Sequence, residues 1–108
     1  MKLGEKQNQD EMINNKNVFH NLKNFINLIP DGENVSRTEL ISIKSRYPKS
    51  SMNSIDQYRR RLTMCGYLSE PVSRGVYKKI KNIPETLTAS KLEQNAYYNT
   101  RTYLKKDR

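Results

Sequence analysis

The residues best equipped for chemistry in this chain are basic side chains, and their excess is concentrated in one segment. The chain of 108 residues has a formal net charge of +9. Residues 50–83 contain seven basic residues and two acidic ones, with Arg59, Arg60 and Arg61 in succession. Such a balance favours a polyanionic partner, chiefly a nucleic acid or an anionic membrane surface. The alternative interpretation of the same pattern is a solvated charged surface.

Residue types that are typical of enzyme active sites are sparse. His20 is the single histidine and Cys65 the single cysteine, so an internal disulfide and a zinc site built from cysteine pairs are excluded. The acidic residues form no HExxH pattern, and no glycine-rich phosphate loop is present. We therefore expect no enzymatic activity, no metal and no cofactor, with Cys65 serving as a small core residue.

The chain has no segment that would direct it to a membrane. No apolar run reaches the roughly 20 residues that cross a bilayer, and the start, MKLGEKQNQDEM, lacks the apolar part of a signal peptide. With 34% hydrophobic residues, the chain is expected to form one small domain. We predict a cytoplasmic protein without a membrane partner.

Hydrophobic spacing predicts the first helix. Apolar residues repeat with a helical period from Val18 to Ile29, so we predict a helix over residues 17–29 with Asn17 as its N-cap. The polar residues 1–16 are expected to form a flexible arm.

Two further helices are predicted from capping signals. Ser36 and Glu39 have the spacing of a capping box, which predicts a second helix over residues 37–46. A third helix is predicted over residues 53–65, ended by Gly66.

The remaining residues predict strands and a last helix. Residues 33–35 could form a short strand, and residues 67–69 and 76–81 have strand composition around a turn that contains proline and glycine, which predicts a β-hairpin. Ser90 and Glu93 have capping-box spacing for a final helix over about residues 91–104. Residues 84–108 are thus expected to form a C-terminal helix and a basic tail.

The order of these elements resembles the winged helix-turn-helix superfamily. The segment from Ser54 to Leu68 looks like its recognition helix, with Ile55 seven residues before Leu62 and Gly66-Tyr67-Leu68 leading into the wing. Arg74-Gly75-Val76-Tyr77 is similar to the residues that enter the second wing strand. The resemblance covers residues 17–83. It implies a mainly α, α+β fold of three helices and a two- or three-stranded wing, here with an extra C-terminal helix, and binding to DNA.

The third helix would present a polar face to DNA. At 100° per residue, Gln57 and Arg60 lie opposite the apolar Ile55 and Leu62. In a major groove, Gln57 could pair with adenine and Arg60 with guanine. We predict DNA contacts from the helix and the turn before it, and from the wing. The helix residues are Ser51, Asn53, Ser54, Gln57, Arg60 and Arg61, and the wing residues are Arg74, Lys78 and Lys79.

The leading functional hypothesis is sequence-specific binding of double-stranded DNA. The protein would be a small bacterial or phage transcriptional regulator that is associated with the nucleoid when bound. The first alternative is an interaction or inhibitor protein that uses the same scaffold to bind a host protein or a nucleoprotein complex. A weaker alternative is binding to structured RNA.

The final helix allows two arrangements. Leu92, Ala96 and Tyr103 could pair across a two-fold axis to make a homodimer, or they could pack on their own domain. The dimer hypothesis expects that truncation after Asn82 leaves a folded monomer.

Overall fold

The computed structural model describes the backbone of residues 2–106 and the side chains of residues 10–99. Within that part of the chain it has an α+β fold, as predicted. The elements are α1 (Lys2–Asn27), β1 (Asn34–Ser36), α2 (Arg37–Lys44), α3 (Ser54–Met64), β2 (Val76–Lys78) and α4 (Ala89–Lys106).

The first helix differs most from the prediction. From Lys2 onward the expected flexible arm is helical and continuous with the rest of α1. Asn17 is therefore inside the helix, where its backbone carbonyl accepts a hydrogen bond from the side-chain amide of Asn21 (2.9 Å). A contact with α3 helps to explain the longer helix, because the Tyr58 hydroxyl donates to the Asn15 carbonyl (3.1 Å).

Capping interactions fix the starts of α2 and α4. The predicted capping box of α2 is confirmed, since the Glu39 N–H donates to the Ser36 Oγ (3.1 Å) and the Ser36 N–H donates to the Glu39 carboxylate (3.0 Å). The predicted box of α4 is wrong, because Ser90 lies inside the helix. Thr88 caps α4 instead, and its Oγ1 accepts from the Lys91 N–H (3.1 Å).

The sheet pairs strands that are distant in sequence. β1 and β2 are antiparallel, with Val35 opposite Tyr77. The predicted hairpin partner, residues 67–69, is not a regular strand, but Leu68 forms a single antiparallel bridge with Lys79. The Ser69 N–H also donates to the Lys78 carbonyl (2.9 Å). The predicted hairpin is therefore present only as two isolated bridges, Leu68 with Lys79 and Ser73 with Val76, and the hydrogen bonds beside them.

One hydrophobic core joins all the helices, and α4 is part of it. Leu92 and Ala96 of α4 are buried in their own domain. These two residues therefore pack on the domain and do not form the face of a homodimer. The Tyr103 side chain lies outside the described residues. The fully buried core side chains include Val18, Leu22, Ile26, Val35, Leu40, Leu62, Leu68, Ile83 and Leu92.

No helix within residues 2–106 combines the length and the apolar character that crossing a membrane requires.

Candidate nucleic-acid interface

One face of α3 presents polar side chains outward. Ile55 and Leu62 are buried, whereas Gln57 and Arg60 are exposed, as helical geometry predicts. Asn53 precedes the helix as its N-cap residue and is exposed, and its side chain makes no capping hydrogen bond. These three side chains are therefore accessible to a ligand.

The two serines predicted to bind DNA have other surroundings. Asn15 binds both the backbone N–H and the hydroxyl of Ser51. Its Oδ1 accepts from the Ser51 N–H (2.8 Å), and its Nδ2 donates to the Ser51 Oγ (2.8 Å). Ser54 is only 2% exposed. The burial of Ser54 contradicts its predicted DNA contact, and Ser51 would have to give up Asn15 to bind a phosphate through its N–H.

The C-terminal half of α3 is covered on one flank by α4. The Arg61 guanidinium lies 3.6 Å from the Glu93 carboxylate, and the Asn99 amide donates to the Met64 carbonyl (3.0 Å). Arg61 thus faces an acidic residue of its own chain. Gln57 and Arg60 are exposed, and they line a cleft of about 320 Å³ together with Glu93 and Tyr97 of α4.

The turn that precedes β2 lies beside the start of α2. The Arg37 N–H donates to the Gly75 carbonyl (2.8 Å). Gly75 has a φ of 70°, a conformation that glycine adopts without a Cβ penalty. Arg74 is exposed at this turn. The structure therefore brings the basic tip of the predicted wing next to α2.

Two adjacent lysines of the predicted wing have opposite environments. Lys78 is exposed, whereas Lys79 is 2% exposed. The Lys79 ammonium donates to the Ile29 carbonyl (2.5 Å) and to the Asn82 side chain, and it lies 3.4 Å from the Asp31 carboxylate. Lys79 holds the chain around β2 together, and its burial contradicts the predicted DNA contact.

An ion pair that sequence reasoning did not anticipate joins α2 to α3. Arg37 donates to both carboxylate oxygens of Asp56, at 3.0 and 3.1 Å. These hydrogen bonds lower the pKa of Asp56 below its ordinary value, and the charges of Arg37, Arg59 and Arg60 lower it further, against the opposing effect of burial. Asp56 therefore stays ionised within a basic surface. No local pattern links Arg37 and Asp56, which are 19 residues apart.

Arg59 connects α3 to the sheet. Its guanidinium lies 4.6 Å from the centre of the Tyr77 ring, a cation–π contact, and it donates to the Thr63 hydroxyl (3.3 Å). Its Nε is buried and has no hydrogen-bond acceptor. Arg59 therefore serves to pack α3 against β2, and Arg60 is the more accessible of the two neighbouring arginines.

The lone histidine and cysteine do not come together. His20 is exposed on α1, and Cys65 is half-buried after α3. Burial raises the pKa of the Cys65 thiol, more than the charge of Lys81 lowers it. Among the side chains that the structure describes, no group of three or more histidine, cysteine, aspartate or glutamate residues could hold a metal ion.

Comparison with known proteins adds no relative to this picture. The chain matches no protein-family model, no curated protein and no solved structure. The functional interpretation therefore depends on the geometry and charge of α3, the start of α2 and the turn before β2.

Proposed function

We propose that the protein binds double-stranded DNA with sequence preference, through a winged helix-turn-helix in which α3 is the recognition helix. The element order α1, β1, α2, α3, β2 supports this proposal. The bridge between Leu68 and Lys79 adds support, because it lays a further extended segment beside the residues of β2. The segment between that bridge and β2 would be the wing.

The observation that carries the proposal is the exposure of Gln57 and Arg60 on one face of α3. Both have planar ends that can make two hydrogen bonds to one base, Gln57 to adenine and Arg60 to guanine. The N-terminal residues of a recognition helix are the ones that contact base edges. Gln57 and Arg60 also line a cleft with Glu93 and Tyr97 of α4, so the DNA would approach α3 beside that helix.

The basic residues around α3 would bind the DNA backbone. Lys78 and Arg74 are exposed. Arg37 is exposed too, and it contacts both the turn that contains Arg74, through Gly75, and α3, through Asp56. Phosphate contacts of this kind position a protein without reading sequence. Arg74 at the turn could also enter a narrow minor groove. Ser54 and Lys79 are not part of this interface, and Arg61 contributes only if it leaves Glu93.

The role that we infer for such a small DNA-binding protein is regulation of transcription in a bacterium or a phage. This inference depends on the DNA-binding proposal.

Salt dependence of duplex binding tests the proposal. Each phosphate that the protein neutralises contributes about −0.9 to the slope of log affinity against log salt concentration. Five such contacts would give a slope of roughly −5. Lys78→Ala should make the slope shallower by about one contact, whereas Lys91→Ala, an equal loss of charge on α4, should leave it unchanged. A slope near zero for the parent protein would overturn the proposal, and tighter binding to a matched RNA duplex would favour the RNA alternative.

A second candidate function is binding to a protein partner. Tyr97 and Tyr98 are 61% and 65% exposed on α4, and Met64 and Ile80 line a cleft of about 600 Å³ beside it. Exposed aromatic residues are enriched in protein interfaces. This function becomes the better account if duplex binding shows no salt dependence and the Tyr98→Ala variant, unlike Arg60→Ala, loses a partner.

A further inference from the structure

A cavity of about 370 Å³ lies between α1 and the segment that leads into α4. It shares no residue with the proposed DNA interface. Its volume is near the lower end of the range for small-molecule sites. The polar side chains of its wall belong to Lys16, His20, Lys23, Glu85, Thr88 and Ser90.

The deepest charge in this cavity belongs to Lys23, which is only 5% exposed. Its ammonium donates to the carbonyls of Glu85 (2.7 Å) and Leu87 (3.0 Å). An ammonium has three N–H donors; these carbonyls accept from two of them, and the ammonium also lies 5.7 Å from the centre of the Phe19 ring, a cation–π contact. Among the described side chains no carboxylate lies within 4.0 Å of the Lys23 ammonium. A buried charge without a counter-charge is unfavourable, and an anion in the cavity would supply one.

Two more basic side chains lie on the same side of α1. Lys16, His20 and Lys23 follow each other at spacings of four and three residues, which places them on adjacent turns of one helix face. Lys16 and His20 are exposed and make no ion pair with the described carboxylates. The face of α1 that lines the cavity therefore carries two lysines and one histidine beside Phe19.

The opposite wall is the N-terminal end of α4, a helix of 18 residues. Thr88 accepts hydrogen bonds from the N–H groups of Lys91 and Leu92. Within the described residues, the N–H groups of Ala89 and Ser90, which line the cavity, have no acceptor. Unpaired N–H groups and the positive end of the helix dipole favour a bound anion.

We propose that this cavity, called here the α1–α4 cavity, binds a small phosphate monoester. Lys23, Lys16 and His20 and the first N–H groups of α4 line the same cavity, which suits an anion with several acceptor oxygens. Glu85 also lines the cavity. It is exposed and can turn toward solvent when an anion binds.

Titration of the full chain, labelled with ¹⁵N, against inorganic phosphate and against ribose 5-phosphate tests the proposal. Ionic strength is held constant with chloride, and amide shifts report on each residue. We expect saturable shifts at Lys16, His20, Ala89 and Ser90 with both probes, and none at Gln57. The double variant Lys16→Gln/His20→Gln should weaken binding about tenfold or more, as the loss of a charge-assisted hydrogen bond implies. The control Lys91→Gln, on the same helix but outside the cavity, should bind within about twofold of the parent.

Several outcomes separate a site from a non-specific effect and from DNA binding. Lys23→Met keeps the buried stem and removes the ammonium, so the variant that remains folded by circular dichroism should not bind either probe. Linear shifts without saturation, or equal weakening by Lys91→Gln and by the double variant, would overturn the proposal. So would shifts of the cavity amides by a DNA duplex but not by the two small phosphates. Because the interface on α3 is not involved, DNA binding can fail while the α1–α4 cavity still binds phosphate, and the reverse.

Discussion

Arg37 and Asp56 form a two-hydrogen-bond ion pair between the first residue of α2 and the first turn of α3, with N–O distances of 3.0 and 3.1 Å. The pair links the two helices of the proposed helix-turn-helix. It also places one negative charge next to Gln57 and Arg60. An acidic residue on a DNA-binding face disfavours contacts with phosphate, and such repulsion is one way to limit binding to unselected sequences.

Asp56→Asn should therefore increase affinity for DNA of any sequence. The substitution removes the repulsive charge and frees the Arg37 guanidinium for a phosphate. We expect the salt-dependence slope to steepen by about 0.9, corresponding to one additional phosphate contact, and the preference for a selected site to decrease. Fluorescence anisotropy with two duplexes at several salt concentrations measures both effects. Glu33→Gln, which removes an exposed carboxylate in the turn before β1, is the control for net charge. Equal effects of the two variants would show that the position of Asp56 is unimportant.

The same pair predicts a pH dependence of stability. The pKa of Asp56 is lower in the folded protein than in the unfolded chain, where an aspartate has a pKa of about 3.9. Its contribution to stability is therefore present above about pH 4 and is lost as the pH falls through the lower folded-state pKa. Asp56→Asn should be less stable than the parent protein at pH 7, and the difference should shrink toward pH 2. Urea unfolding at both pH values measures the difference. A difference that is the same at pH 7 and pH 2 would rule out this ion pair as its source.

The neighbours Lys78 and Lys79 should respond to substitution in different ways. Lys78→Ala should weaken DNA binding for all sequences alike and leave stability within about 0.5 kcal/mol of the parent. Lys79→Ala removes a buried side chain and leaves the half-buried Ile29 carbonyl without its donor, which should cost about 1–3 kcal/mol of stability. Urea unfolding and duplex binding, measured on both variants, make the comparison. The assignment of Lys79 to a structural role fails if its variant is as stable as the Lys78 variant.

The C-terminal helix should be required for folding. Leu92 has no exposed surface and packs in the common core, so Leu92→Ala should cost about 2–5 kcal/mol. Tyr98→Ala, at an exposed position of the same helix, should change stability by about 0.5 kcal/mol or less. Truncation after Asn82 removes Ile83, Leu87 and Leu92 from the core, so we expect it to unfold the chain. Thermal unfolding by circular dichroism distinguishes the cases, and a folded truncated protein would contradict this description of the core.

Local sequence patterns were sufficient for the parts of the fold whose stabilising groups are close in sequence. The capping box of Ser36 and Glu39 spans four residues, and the buried Ile55, Tyr58 and Leu62 repeat within one helix. The exposure of Gln57 and Arg60 follows from the same helical repeat. These features could be predicted because one element contains all of their determinants.

The features that could not be predicted depend on distant partners. Helix α1 continues before Asn17 through polar residues, and the contacts of Asn15 that hold it are with Ser51 and Tyr58, which are 36 and 43 residues away. Lys78 and Lys79 are adjacent lysines that the sequence does not distinguish. Only Lys79 is buried, and the Ile29 carbonyl that accepts from it is 50 residues away. No periodicity within one element reports such contacts.

Selection of bound sequences from a random duplex pool, done in parallel with the parent, Gln57→Ala and Arg60→Ala, tests the central claim most directly. We expect the parent to enrich one motif, and each variant to bind it about 1–3 kcal/mol more weakly and to lose preference at a single position. Both variants should keep their stability within about 0.5 kcal/mol, because the two side chains are exposed on α3. No enriched motif for the parent, or variants that bind its motif as tightly and as selectively as the parent does, would contradict base recognition by α3.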